Sequence, residues 1–158
     1  MPRVAEGSIQ QVVYRQTTAG LFYALGAIPV SAELNSIFQM GITWLNTSED
    51  EFEGHIELIV TKPDGTTVTP EAVMGQDLEV DPSNSATVLF EAITLDQYGT
   101  YSAQATLTEA GETEVLDLET FSFATVAEPA VGFDISSIMA IVGLAFVGIL
   151  LFTLTKTK

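Results

Sequence analysis

The chain has no cysteine, so no disulfide, zinc–thiolate site or thiol nucleophile is open to it. It has one histidine, His55, which excludes a multi-histidine metal site within a single chain. Positive charge is scarce. Five Lys and Arg stand against 21 Asp and Glu, for a formal net charge of −16. An acidic shell repels phosphate backbones and anionic headgroups, and this excludes nucleic acid as a partner. No glycine-rich phosphate loop, internal repeat, low-complexity tract or amphipathic helical period is found, so nothing marks a small-molecule substrate or a cofactor.

What is present is concentrated at the C-terminal end. Residues 135–155 read ISSIMAIVGLAFVGILLFTLT, without a formal charge, and Lys156 and Lys158 follow directly. At about 1.5 Å of rise per residue such a run spans roughly 30 Å, the thickness of a bilayer's hydrocarbon core. The expectation is one transmembrane helix over 135–155, N-capped by Asp134, preceded by a linker over 127–134 and followed by a basic tail over 156–158. Ser136, Ala140, Gly143 and Val147 fall on one face of that helix. Their small size there suits close packing against another helix.

Every acidic residue lies at or before Asp134, and only Arg3, Arg15 and Lys62 oppose them there. The preceding part is long enough for one compact domain. Ile9, Val12, Val13 and Tyr14 suggest a first strand. Ala19 to Val30 is apolar and has two readings. It is a signal-peptide core with a small-residue site at Val30-Ser31-Ala32, or a connecting strand turned by Gly20, Gly26 and Pro29. From residue 36 the period is two. Phe38, Met40, Ile42 and Trp44 alternate with smaller or polar residues, as do Ile56, Leu58 and Val60. Pro63-Asp64-Gly65 and Pro82-Ser83-Asn84-Ser85 carry turn chemistry. A short strand is expected near Asp77 to Val80. Ala86, Val88, Phe90 and Ala92 alternate inward, then Tyr101, Ala103, Ala105 and Leu107. In the last strand Leu116 and Leu118 share one parity and Phe121 and Phe123 the other, which predicts a β-bulge near Glu119-Thr120. About seven strands with turns between them and no amphipathic helix predict an all-β, two-sheet antiparallel sandwich over residues 36–126, with residues 1–35 supplying an N-terminal strand and connecting segment.

The series Gly41-Ile42-Thr43-Trp44-Leu45-Asn46-Thr47-Ser48 resembles the V-x-V-x-N-T-G strand of bacterial and archaeal immunoglobulin-like adhesion modules of the CARDB type. Ile59 to Gly65 is similar to their next strand and turn, and Val80 to Val88 to their P-P-G-x-S-A-T-V segment. Gly99-Thr100-Tyr101-Ser102-Ala103 resembles the tyrosine-bearing G-T-Y strand common among immunoglobulin-like folds. Ser48 stands where the family has glycine, and the segment before residue 36 is unmatched. The resemblance implies a non-catalytic sandwich used for adhesion, spacing or assembly.

Candidate chemistry is sparse. Acyl transfer needs a nucleophile, a base and an orienting group within hydrogen-bond reach. His55 is the sole imidazole, and its parity places it on the solvent side between Glu53 and Glu57, where it is solvated or glutamate-paired. Glu49, Asp50, Glu51 and Glu53 form the densest carboxylate cluster. It is a solvated loop or a calcium site, since calcium prefers oxygen ligands, although the spacing matches no D-x-D-x-D-G loop. Trp44 and Tyr101 are expected in the structural core, Trp44 by its parity and Tyr101 with its hydroxyl tied back to nearby backbone. Asn46-Thr47-Ser48 matches a glycosylation acceptor.

Together these features predict a non-enzymatic protein anchored in a lipid bilayer. It would assemble with copies of itself or with neighbouring proteins of a cell envelope or membrane-containing virion. The lysines place the C-terminus in the cytoplasm or particle interior and the β-domain outside. An exported domain needs a signal, which only the Ala19–Val30 run offers; a tail-anchored protein or one entering a membrane during particle assembly needs none. The alternatives are a carbohydrate- or calcium-binding adhesion module and an accessory subunit of a membrane enzyme complex.

Overall fold

The computed structural model describes residues 5–17 and 19–130. Twelve strands are present: β1 (Gly7–Arg15), β2 (Tyr23–Ala24), β3 (Val30–Ala32), β4 (Ile37–Asn46), β5 (Phe52–Thr61), β6 (Thr67–Val68), β7 (Ala72–Met74), β8 (Leu78–Val80), β9 (Ser85–Phe90), β10 (Ile93–Thr94), β11 (Gly99–Glu109) and β12 (Val115–Val126). One sheet runs β2-β1-β4-β9-β7 with β10 added to β4. The other runs β3-β12-β11-β5-β6 with β8 added to β5. All pairings are antiparallel except the parallel contact of β3 with β12.

The period-two pattern sets the core. Phe38, Met40, Ile42 and Trp44 of β4 face Ile56, Leu58 and Val60 of β5 and Tyr101, Ala103, Ala105 and Leu107 of β11, and all are buried. Burying each large side chain is worth about 1.5–3 kcal/mol, so β4 and β5 alone supply much of the driving force. Aromatic rings join the sheets: Phe38 lies 5.0 Å from Phe123, and Trp44 lies 5.1 Å from Phe52.

Several local expectations are corrected. Twelve strands replace about seven because β2, β3, β6, β7 and β10 are two or three residues long, too short to show alternation, while β8 falls where the short strand near Asp77 to Val80 is expected. Most lie at sheet edges, where short strands limit unwanted pairing. The register of β12 against β11 shifts between Tyr101 and Ser102 and again between Leu107 and Thr108, not at Glu119-Thr120. The extra residues are Phe123 and Leu116, and the first bulge lets consecutive Phe123 and Ala124 both be buried. Leu118 is exposed, and so is Ala92, which follows the end of β9. The Ala19–Val30 run is built into the sandwich: β2 pairs with β1, Val30 opens β3, and Leu25 and Val30 pack against the core.

The sandwich has two ends. At the exit end, where β12 finishes, Val126 pairs with both Gly99 and Ala32, and Gln16 donates to the carbonyl of Ser31. Residues 16, 17 and 19–22 and the loops 33–36, 62–66 and 95–98 gather there. At the far end Gly7 pairs with Asn46, Phe52 with Val80, and Gly54 with Glu109. Among the described residues no helix is long and apolar enough to cross a membrane. The helix expected over 135–155, its face of Ser136, Ala140, Gly143 and Val147, and the flanking Lys156 and Lys158 lie outside the described residues.

Candidate functional site

His55 projects from the outer face of β5, and the loop before β8 folds over it. Its Nδ1 lies 2.7 Å from Asp77 Oδ1, with both side chains nearly half exposed. The carboxylate partner is therefore Asp77, not the strand neighbours Glu53 and Glu57. Residues two apart on one face of a strand stand nearly 7 Å apart, whereas a loop can close over the edge. Gln76 holds that loop in place, donating to the Ile56 carbonyl at 2.9 Å and accepting from the Ile56 N–H at 3.3 Å. Beside this pair an open groove of about 740 Å³ is lined by Glu57, Glu71, Thr106, Thr108 and Glu112 among others. An imidazole–carboxylate pair next to threonine hydroxyls offers hydrogen bonds to a polyhydroxylated ligand. Asp77 and Gln76 lie over twenty residues from His55 in sequence, and no spacing motif points to them.

Among the described residues no three His, Asp or Glu side chains converge to hold a metal ion. Glu49, Asp50 and Glu51 line a shallow open depression with Pro82, while Glu53 lies in β5 opposite Glu79. The adjoining Asn46 is fully buried. Its amide donates to the carbonyls of Asp50 and Val80 at 2.9 and 2.7 Å, and its Oδ1 accepts from the Ser48 N–H at 2.9 Å. Ser48 Oγ lies 2.6 Å from both Asn46 Oδ1 and the Asp50 carbonyl. Asn46 is thus the internal clamp of the β4–β5 loop rather than a glycosylation acceptor, because its amide nitrogen faces inward. Ser48, where the CARDB-type motif has glycine, belongs to the same clamp.

Trp44 and Tyr101 are both fully buried. The Tyr101 hydroxyl accepts from the Gln97 N–H at 2.7 Å and donates to Asp96 Oδ1 at 3.2 Å. Lys62 Nζ binds the other Asp96 oxygen at 2.7 Å. Asp64 accepts from the N–H and hydroxyl of Thr66 and from Gln97 Nε2. This network ties the β5–β6 turn to the β10–β11 turn at the exit end. The Lys62 ammonium, hydrogen-bonded to Asp96, holds the Asp96 carboxyl below its ordinary range, and Asp96 in turn raises the lysine. Thr66 lowers Asp64, and burial raises the Tyr101 phenol.

Charge is divided between the two ends. The far end carries Glu6, Glu49, Asp50, Glu51, Glu53, Glu79, Asp81, Glu109, Glu112 and Glu114. The described cations, Arg15 and Lys62, both lie at the exit end, beside Glu33, Asp64, Asp96 and Glu128. Arg15 donates to Gln39 Oε1 and stacks over the Phe22 ring at 4.6 Å. Leu21 there is 77% exposed, and Ile37 and Tyr98 are also exposed. A signal for this asymmetry exists in the sequence: no acidic residue occurs between Glu6 and Glu33.

No family model and no curated relative matches the chain. Solved structures do. The C-terminal domain of Wzt is similar with a TM-score of 0.53 at 10% identity, over 80% of this chain and 77% of that one. A calcium-binding mutant of Bacteroides uniformis β-glucuronidase 2 also has a TM-score of 0.53 at 10% identity, over 76% of this chain. This chain matches 14% of that enzyme's length. The fold is an immunoglobulin-like β-sandwich. A CARDB domain from Pyrococcus furiosus in complex with di-metal ions is similar at a TM-score of 0.43 and 14% identity, over 80% of this chain and 96% of that domain. At such identities the two likenesses at a TM-score of 0.53 show the fold alone, and the CARDB likeness adds nothing to that.

Proposed function

We propose that this chain is a non-enzymatic, single-pass membrane protein. In this reading a CARDB-type immunoglobulin-like sandwich is held at a bilayer by residues 135–155. Its acidic far end is displayed for assembly with copies of itself or with neighbouring proteins of a cell envelope or membrane-containing virion. The observation that carries the reading is the uncharged run of residues 135–155, closed by Lys156 and Lys158. The far-end carboxylates support it, because like charge keeps free copies apart and leaves association to a complementary partner. The test is purification of the full chain from its native source in mild detergent, followed by cross-linking and mass measurement. Recovery in a large assembly with defined neighbours is expected. A stable monomer without partners contradicts the assembly role.

The groove beside His55 favours a second reading, an adhesion module for carbohydrate, with calcium as the alternative ligand at the acidic loop. Calorimetry of the full chain in detergent against calcium and a glycan panel tests it. Heat on binding that is lost in His55→Ala supports the groove, and silence across the panel removes the reading.

A further inference from the structure

We infer that the exit end of the sandwich is itself a bilayer-contacting surface, seated in the headgroup region of a zwitterionic membrane through Leu21, Ile37 and Tyr98. The inference rests on residues 135–155 being an anchor, and adds that the domain lies down on the lipid at one end instead of standing clear of it.

Three observations converge. First, β12 finishes at this end, and residues 127–134 extend at most about 3.3–3.6 Å each, so the exit end is confined to within roughly 30 Å of the start of the apolar run. Second, the exposed apolar side chains Leu21 and Ile37 and the amphipathic ring of Tyr98 project there. Tyrosine is favoured at the membrane–water interface, where its ring is partly buried and its hydroxyl stays wet, and exposed aliphatic side chains gain by entering the acyl boundary. Third, charge orients the domain. The exit end sets Arg15 and Lys62 against Glu33, Asp64, Asp96 and Glu128, with Lys62 paired to Asp96. The ten far-end carboxylates have no described cation at that end and would be desolvated at greater cost against lipid. Burial of Leu21 against another part of this sandwich is not open to it, because the side chain is 77% exposed in the folded domain.

The absence of cysteine makes the test direct. Single cysteines are placed by Leu21→Cys, Tyr98→Cys and, at the exposed far-end loop, Thr47→Cys. Each full-length chain is labelled with an environment-sensitive fluorophore, reconstituted into phosphatidylcholine vesicles and isolated by flotation. Labels at 21 and 98 are expected to shift to the blue and to be quenched by lipid carrying a nitroxide at the headgroup, while the label at 47 does neither. In a Leu21→Asp, Ile37→Asp double variant, whose altered side chains are both exposed, the label at 98 is expected to lose its quenching. Labels at 21 and 98 that behave like 47 on floating vesicles overturn the inference and leave the anchor intact. A shift at 21 that appears only when a second protein is added assigns the surface to a protein partner and also overturns it. A chain that fails to float overturns the anchor reading, and the inference falls with it.

Discussion

Gly54 has no room for a side chain. A Cβ built there runs into the indole of Trp44, which lies flat across the strand. Overpacking a filled core typically costs about 1–3 kcal/mol, and Gly54→Ala is expected to fall in that range. Urea unfolding would read it as a lower midpoint with an unchanged slope. Asn46 is the polar counterpart. Its buried side chain satisfies two carbonyls and one backbone N–H beneath an exposed loop. Asn46→Ala removes these three bonds, leaving the Asp50 carbonyl only Ser48 Oγ, and a loss on the order of 2–3 kcal/mol is expected from the same experiment. Of these two residues, the sequence shows the parity that buries Trp44 but not the reason for Gly54, since the clash is between strands of opposite sheets. Asn46 reads as a glycosylation triplet because a local motif does not reveal which way a side chain points.

At the scale of elements, the exit-end turns are pinned by charge-assisted hydrogen bonds, and their pH dependence has a definite sign. Asp96 and Asp64 have carboxyls lowered in the folded state, by Lys62 and Thr66 respectively. Their contribution is present above the ordinary carboxylate range and is lost as pH falls through the folded values, below about 4. Lys62 and Tyr101 are raised, by Asp96 and by burial respectively. Theirs is present below about pH 10 and is lost as pH rises through the folded values. Thermal unfolding from pH 3 to 11 is expected to show a plateau that falls at both margins. In Tyr101→Phe the whole curve drops by about 1 kcal/mol, the net worth of a hydrogen bond. The long strands were legible in the sequence because each buries one face, so that period two is written into β4, β5 and β11. Apart from β8, which lies just before the Pro82 turn, the short edge strands were not, since two or three residues carry no period. The bulges of β12 sit at Phe123 and Leu116 because tertiary packing, not local pattern, buries the consecutive Phe123 and Ala124 together and packs Leu116 against the core while Val115 stays exposed.

For the whole molecule, the balance of charge sets the behaviour. A net charge of −16, with ten carboxylates gathered at the far end, repels itself in the folded state. Salt screens that repulsion over a Debye length of about 3 Å at 1 M, against 10 Å at 0.1 M. Melting temperature is therefore expected to rise with sodium chloride, and a fall would show that the surface carboxylates are held by attractive pairs instead. The division into an acidic far end and an exit end bearing Arg15 and Lys62 is written in the sequence as the acid-free stretch between Glu6 and Glu33. It becomes visible only when the topology brings Arg15, at the end of β1, to the end where β12 finishes. In the proposed reading residues 135–155 hold the sandwich to lipid. Extraction of membranes containing the full chain with alkaline carbonate, followed by flotation, tests it most directly. The chain is predicted to stay with the floating lipid and to be released only by detergent; its appearance in the carbonate supernatant would contradict the claim.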